Sequence, residues 1–130
     1  AAYEENLRRI ARIARDRGAR LVLLTQGTLY RADLTPDEEG LLWFGSVEQS
    51  FFDVQPPRQY YTASVLASLL DEYNATTLRI CREVALSCVE VNAFLPRSTE
   101  SYYDDVHMTI RGSRTLGVEL ARRLVQERVL

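Results

Sequence analysis

The sequence lacks the features that mark several broad classes of protein. No apolar run approaches the roughly 20 residues of a membrane-spanning helix, and no signal-peptide pattern opens the chain. Sixteen basic and eighteen acidic residues nearly cancel, so no general attraction to nucleic acid or to anionic lipid is expected. Lysine, internal repeats and low-complexity tracts are all absent. What remains is a chain of 130 residues, 46% hydrophobic and 26% charged, which is typical of at most one globular domain.

Cysteine is also scarce, with only Cys81 and Cys88 in the chain. On one continuous helix these residues would lie about 10 Å apart along the axis, which is too far for a disulfide. A loop between them would relax that limit. Because free cysteine is usually buried, we predict two buried thiols, and the redox compartment stays open.

The first elements follow from hydrophobic periodicity. Residues 6–17 place apolar side chains at helical spacing opposite an arginine-rich face, and Gly18 stands where a left-handed helix cap is expected. The unbroken apolar run 21–24 then predicts a parallel strand that is covered on both faces. Its carboxyl end, at residues 25–27, is where open α/β sheets bind ligands.

The second half of the chain repeats this pattern. We predict a helix over residues 62–86, a strand over 88–91, a loop over 93–107, and a third helix that begins after Thr109 as its N-cap. Gly117 would allow this last helix to pack closely. Two parallel strands and three helices are too few for a stable sheet. The chain therefore resembles the back half of a doubly wound α/β domain, completed by strands from elsewhere or by a second copy.

Residues 27–61 form a long connection without periodicity. Glycine and proline interrupt it, yet it contains the aromatic residues Trp43, Phe44, Phe51 and Phe52. Loops of this length inside compact domains are often functional. We therefore name Trp43 and Phe44 as candidate substrate-binding residues; the alternative is that the aromatic side chains only anchor the loop on the core. A short hairpin through residues 41–54 is a further alternative.

The single histidine, His107, follows Asp104 by three residues. Histidine takes and returns protons near neutral pH, and a carboxylate at this spacing can fix the tautomer of the ring and stabilise its protonated form. The pair predicts general acid–base chemistry, and the alternative is an ordinary surface histidine. We expect the neighbouring Asp105 to be a solvated turn residue or a helix-start charge.

The segment YDDVHMTIRG, residues 103–112, resembles the last conserved block of the SGNH (GDSL-type) hydrolases, which are esterases and lipases on a three-layer flavodoxin-like fold. Weaker similarities are Tyr3-x-x-Asn6-Leu7 and the stretch from Tyr73-Asn74 to Leu78-Arg79. The resemblance covers most of the chain outside the long loop. It implies that residues 1–130 are the C-terminal part of one such domain, with His107 as the base that activates a serine and Asp104 as its partner.

The parts of the family pattern that are absent are equally informative. The family's nucleophile block, Gly-Asp-Ser, and its oxyanion block, Gly-x-Asn-Asp, do not occur in the sequence. Neither Ser46 nor Ser113 follows a strand in the way a nucleophile turn requires. A metal site built from Asp104, Asp105 and His107 would have poor geometry because its ligands crowd within four residues. We therefore expect no metal and no cofactor, and a chain that is catalytically silent alone.

Three hypotheses about function remain. The first is a serine ester hydrolase that acts on a small acyl or acetyl ester and takes its nucleophile from a missing N-terminal half or a second copy of the chain. The second is a non-catalytic hydrolase-like module that binds a partner or a sugar. The third is an association domain that dimerises through strand edges. Export to the periplasm or beyond would fit relatives of this family, but the sequence leaves the compartment open.

Overall fold

The structure, a computed structural model, describes residues 2–47 and 59–126. Within these ranges the chain is a mixed α/β protein with two parallel strands and four α-helices. In chain order the elements are α1 (Ala2–Asp16), β1 (Val22–Leu24), α2 (Pro36–Glu39), α3 (Ala63–Glu83), β2 (Ser87–Val89), a 3-10 turn (Val91–Ala93) and α4 (Ile110–Gln126).

Helix α1 confirms the first predicted helix, although it begins four residues earlier. Its apolar stripe buries Leu7 and Ala11. Gly18 adopts a φ of 65°, its N–H donates to the Arg15 carbonyl at 3.0 Å, and the next N–H, of Ala19, donates to Ala14 at 2.9 Å. These two bonds form the glycine-dependent helix cap that the sequence predicted.

The two strands pair in parallel, as predicted, with Val22 opposite Ser87 and Leu24 opposite Val89. The ladder continues for one bond, because the Thr25 N–H donates to the Val89 carbonyl at 2.9 Å. Strand β2 is shorter than predicted because residues from Val91 onward turn into the 3-10 helix. These short strands form the only sheet within the described residues.

Helix α3 contacts both strands and also α1. The Tyr3 and Thr77 hydroxyls share a hydrogen bond of 2.7 Å, and Arg79 pairs with Glu4 at 2.9 Å. Tyr3 also meets the Tyr73 ring edge-on with centroids 4.8 Å apart. Two residues that carried the weaker family similarities, Tyr3 and Tyr73, thus serve to pack α1 on α3.

The prediction of two free thiols is wrong, because Cys81 and Cys88 form a disulfide. Helix α3 ends at Glu83, and Ala85 takes a left-handed conformation with φ 55°, which reverses the chain into β2. The two Cα atoms therefore lie 6.1 Å apart, within the normal range for a disulfide. The bond clamps the last turn of α3 to β2.

The long loop contains a helix that was not predicted. Thr35 caps α2 and exchanges hydrogen bonds with Glu38, and Pro36 occupies the first turn. Farther along, Ser46 and Tyr60 form an isolated antiparallel bridge. The second half of the predicted hairpin, residues 48–54 with Phe51 and Phe52, lies outside the described residues.

Helix α4 begins as predicted, since the Thr109 hydroxyl accepts a hydrogen bond from the Gly112 N–H at 3.0 Å. Gly112 is the close-packing glycine, because a Cβ there would collide with the Ser101 carbonyl. Gly117 has open space around it, so the packing role predicted for it is wrong. A buried cluster formed by Leu29, Val91, Leu95 and Tyr102 lies beside this helix, and Leu116 packs against that cluster.

Among the helices described, none has the length and apolar character needed to cross a bilayer.

Candidate active site

The candidate site is a closed turn that leads into α4. Tyr102 and Met108 form an antiparallel bridge, the Tyr103 N–H donates to the His107 carbonyl at 3.1 Å, and the Thr109 N–H donates to the Ser101 carbonyl at 2.9 Å. These bonds draw both ends of the segment together. The intervening residues, including the predicted pair, are therefore held on one tight turn.

Asp104 holds His107 through its carboxylate. One carboxylate oxygen, Oδ1, accepts hydrogen bonds from the backbone N–H groups of Val106 at 3.0 Å and His107 at 2.7 Å. The other oxygen, Oδ2, lies 2.8 Å from Nδ1 of the imidazole. The group of Asp104 that meets the ring is therefore its carboxylate.

The charge state of Asp104 follows from these contacts. The residue is 3% exposed, and this burial by itself would raise the pKa of the carboxyl. The backbone N–H groups of His107 and Val106, together with the imidazole, outweigh the burial and bring the pKa below its ordinary value. An ionised carboxylate can only accept, so the Nδ1 atom donates and the neutral ring leaves Nε2 unprotonated.

The histidine itself is half-exposed, with 55% of its side chain accessible to solvent. The Tyr103 ring stacks on the imidazole, with centroids 5.8 Å apart and planes 13° from parallel. Within residues 2–47 and 59–126, no hydrogen-bond partner meets Nε2. One nitrogen is therefore fixed by a buried acid while the other is accessible from outside.

The neighbouring Asp105 is fully buried, so its assignment as a solvated turn residue is wrong. Its Oδ2 accepts three hydrogen bonds, from the Tyr30 hydroxyl at 2.9 Å and from the backbone N–H groups of Trp43 at 3.0 Å and Phe44 at 2.6 Å. Burial, followed by the bond to Asp105, raises the pKa of Tyr30, which therefore stays a neutral donor. Asp105 thus ties the aromatic loop to the turn of the site.

The backbone of Asp105 also joins the turn to the segment that follows β1. Its carbonyl accepts from the Leu29 N–H at 2.9 Å and the Thr28 hydroxyl at 2.7 Å. Nearby, the phenol of Tyr102 is buried against Gly27 and Val91, where a Cβ on Gly27 would collide with it. Burial raises the pKa of Tyr102 to about 12. The turn that carries the predicted pair is therefore packed against the residues after β1, where α/β sheets bind their ligands.

The structure separates the two interpretations of Trp43 and Phe44. Their backbone N–H groups anchor the loop through Asp105, while their side chains are 60% and 38% exposed. Phe44 also forms part of the wall of a groove of about 450 Å³. The backbone of this segment therefore anchors the loop, and contact with a substrate stays a prediction for its side chains.

Neither candidate serine gives a second catalytic group. Ser113 belongs to the first turn of α4 and donates its backbone N–H to the Thr109 carbonyl at 2.9 Å. Ser46 lies in the bridge with Tyr60. In the part of the chain that the structure describes, no group of three or more His, Cys, Asp or Glu side chains could hold a metal ion.

The residues missed from the sequence are Asp105 and its partner Tyr30. Two adjacent aspartates gave no sign of which would be buried, because the donors to Asp105 lie more than 60 positions earlier. The short helix α2 did have a local signal, since Thr-Pro-Asp-Glu is a capping-box sequence with proline at the first helical position.

No protein-family model, no curated protein and no solved structure matches this chain. The physical basis for assigning a function is therefore the turn itself: a buried, ionised acid, an imidazole oriented by it, and an accessible second nitrogen.

Proposed function

We propose that the chain is the acid–base portion of a serine ester hydrolase with the flavodoxin-like fold of the SGNH family, acting on a small acyl or acetyl ester. The observation that supports this most strongly is the contact of 2.8 Å between Asp104 Oδ2 and His107 Nδ1. His107 is the general base, and Asp104 orients it. The two parallel strands and the helices packed on them are consistent with the back half of such a domain.

In this mechanism Nε2 of His107 takes the proton from a serine hydroxyl as the oxygen attacks the ester carbonyl. The ring becomes positively charged, and the Asp104 carboxylate stabilises that charge while it keeps the Nδ1 proton in place. The same ring then gives its proton to the departing alcohol. Water attacks the resulting acyl-enzyme by the reverse sequence and releases the acid.

The proposal requires a nucleophile and an oxyanion hole from outside these 130 residues. The Gly-Asp-Ser and Gly-x-Asn-Asp blocks are absent, and no hydroxyl among the described residues bonds Nε2 of His107. The partner is either an N-terminal half of the same domain or a second copy of the chain. A strand from that partner would also extend the two-stranded sheet.

The alternative is a non-catalytic module with a hydrolase-like scaffold, which binds a partner or associates with another copy. The observation that favours it is that no hydroxyl in the described part of the chain bonds the imidazole. It differs from the enzyme in one measurable respect, because no complex of the chain would then hydrolyse an ester through His107.

The test is hydrolysis of p-nitrophenyl acetate by the chain joined to the front half that supplies Gly-Asp-Ser. Loss of the general base in His107→Ala should reduce kcat/KM by about 10²–10⁴-fold or more. Tyr103→Phe is the matched control, because it keeps the ring that stacks on His107 and should retain nearly full activity. Equal turnover in wild type and His107→Ala would contradict the proposal.

A further inference from the structure

A groove lies between the aromatic loop and the start of α3. Its volume is about 450 Å³, within the range of pockets that take small molecules. Most of its wall is apolar or aromatic, formed by Leu42, Phe44, Tyr60, Tyr61, Ala63 and Leu66. We call this the aromatic groove.

A glycine next to the aromatic groove allows the loop to approach α3 closely. Gly45 adopts a φ of 93°, and a Cβ at this position would overlap the Leu66 side chain. The Tyr61 N–H donates to the Gly45 carbonyl at 2.9 Å. The glycine thus lets the loop pass close to Leu66 of α3. The bond from Tyr61 to Gly45 holds the segment with Tyr60 and Tyr61, which line the groove.

The backbone that lines the groove offers few free donors to a polar ligand. The N–H groups of Gly40 and Leu42 donate to carbonyls within the α2 segment at 3.1 Å, and that of Phe44 donates to Asp105. The Thr62 hydroxyl already caps α3 by accepting from the Val65 N–H. With these donors satisfied internally, the strongest interaction left to a guest is burial of its apolar surface.

The groove is also coupled to the histidine. Phe44 forms part of its wall, and the backbone N–H of Phe44 bonds the carboxylate of Asp105 at 2.6 Å, two residues before His107. Asp105 therefore acts as a positioning residue, since one buried side chain connects the wall of the groove to the turn that holds the imidazole.

From this geometry we infer that the aromatic groove binds the apolar acyl chain of an ester substrate. That the ligand is an ester rests on the proposed function, whereas the affinity of the groove for an apolar chain does not depend on it. The hydrolase would then prefer esters with several carbons in the acyl chain over acetate. Glu39, the one charged residue of the lining, disfavours a carboxylate in the same place.

Methyl ketones test the binding without being hydrolysed. The full chain is titrated with acetone, 2-pentanone and 2-heptanone while NMR chemical shifts are monitored. The affinity should rise about fourfold per added methylene, because burial of one CH₂ contributes about 0.8 kcal/mol. Two methylenes then give about 15-fold. Affinity that is independent of chain length, or saturable binding of methyl glucoside in place of the ketones, would overturn the inference.

Paired variants of α3 localise the site. Leu66→Phe fills the groove and should weaken 2-heptanone at least 10-fold. Leu69→Phe, the same change one turn later at a side chain outside the groove lining, should leave affinity within twofold. Phe44→Ala removes an aromatic side chain from the wall of the groove and should also weaken binding. Equal affinity in both phenylalanine variants and in Phe44→Ala would refute the assignment.

The proposed hydrolase function and the proposed role of the groove can be refuted independently. His107→Ala should bind 2-heptanone as the wild type does, because the imidazole is not part of the groove lining. Ketone binding without ester hydrolysis in the completed protein would refute the hydrolase and support the groove. Hydrolysis of acetate and hexanoate esters with equal KM would refute the groove and support the hydrolase.

Discussion

Replacement of Asp105 is the most demanding test of the structure, because the residue connects three parts of the fold. Its carboxylate is fully buried and accepts three hydrogen bonds on one oxygen. We expect Asp105→Ala to destabilise the protein strongly and Asp105→Asn to do so mildly. The difference between the two variants separates the hydrogen bonds from the charge.

The expected magnitude follows from those bonds. Hydrogen bonds to a charged acceptor contribute about 1.5–3 kcal/mol each, so three give a gross value of roughly 4.5–9 kcal/mol. The other oxygen, Oδ1, is buried without a partner, which offsets about 1–3 kcal/mol. We expect Asp105→Ala to lower the free energy of unfolding by about 3–5 kcal/mol, in line with other broken buried charge networks.

Asparagine keeps an oxygen where the Tyr30, Trp43 and Phe44 donors converge, and its amide group can occupy the side where Oδ1 has no partner. Only the charge assistance is lost. Since charged hydrogen bonds are roughly twice as strong as neutral ones, we expect about half of the loss in Asp105→Ala, or about 1.5–2.5 kcal/mol. A loss in Asp105→Asn as large as in Asp105→Ala would show that the charge, and not the acceptor geometry, is the important property.

Urea unfolding measures these values with two signals. Circular dichroism follows the helices, and the fluorescence of Trp43, the one tryptophan in the chain, follows the loop that Asp105 holds. Asp33→Ala is the matched control, because the Asp33 side chain is 86% exposed and pairs with Arg31 at the surface; it should change stability by less than about 0.5 kcal/mol. If Asp105→Ala behaves like this control, the inferred role of the buried carboxylate is wrong.

Two further predictions concern the acid of the pair and the open sheet. Because the pKa of Asp104 is lower in the folded protein than its ordinary value of 3.8, its stabilising contribution is complete above that value and is lost as pH falls through the folded pKa. Urea unfolding at pH 6 should therefore show a larger deficit in Asp104→Asn than unfolding below pH 3, and an equal deficit would contradict this. Since two strands rarely suffice for a stable sheet and Leu24 is 37% exposed, light scattering should find the folded chain alone to be oligomeric; a monomer would contradict it.

The elements that the sequence predicted well are those set by local patterns. Helix α1, the cap at Gly18 and the apolar run into β1 need only the periodicity of side chains and the conformational freedom of one glycine. The N-cap at Thr109 is local as well. The parallel pairing of β1 with β2 followed from two apolar runs joined through a helix.

The wrong predictions concern features that depend on contacts between distant parts of the chain. The disulfide depends on where α3 ends, and that end is marked by Ala85 with φ 55°, a conformation that alanine rarely takes. No residue pattern announces it. The burial of Asp105 depends on donors in a loop whose path the hydrophobic pattern does not specify.

The two adjacent aspartates show how far sequence reasoning about a site can reach. Asp104 accepts from the backbone N–H groups two and three residues ahead, a local turn available to any aspartate. That turn aims the carboxylate toward the side chain at the third position, so a histidine there meets it wherever the segment lies in the fold. The direction of Asp105 has no such local cause, because its carboxylate is held by Tyr30 and the 43–44 backbone. The spacing Asp-x-x-His therefore predicts the oriented base, whereas the link between that base and the aromatic loop requires the tertiary structure.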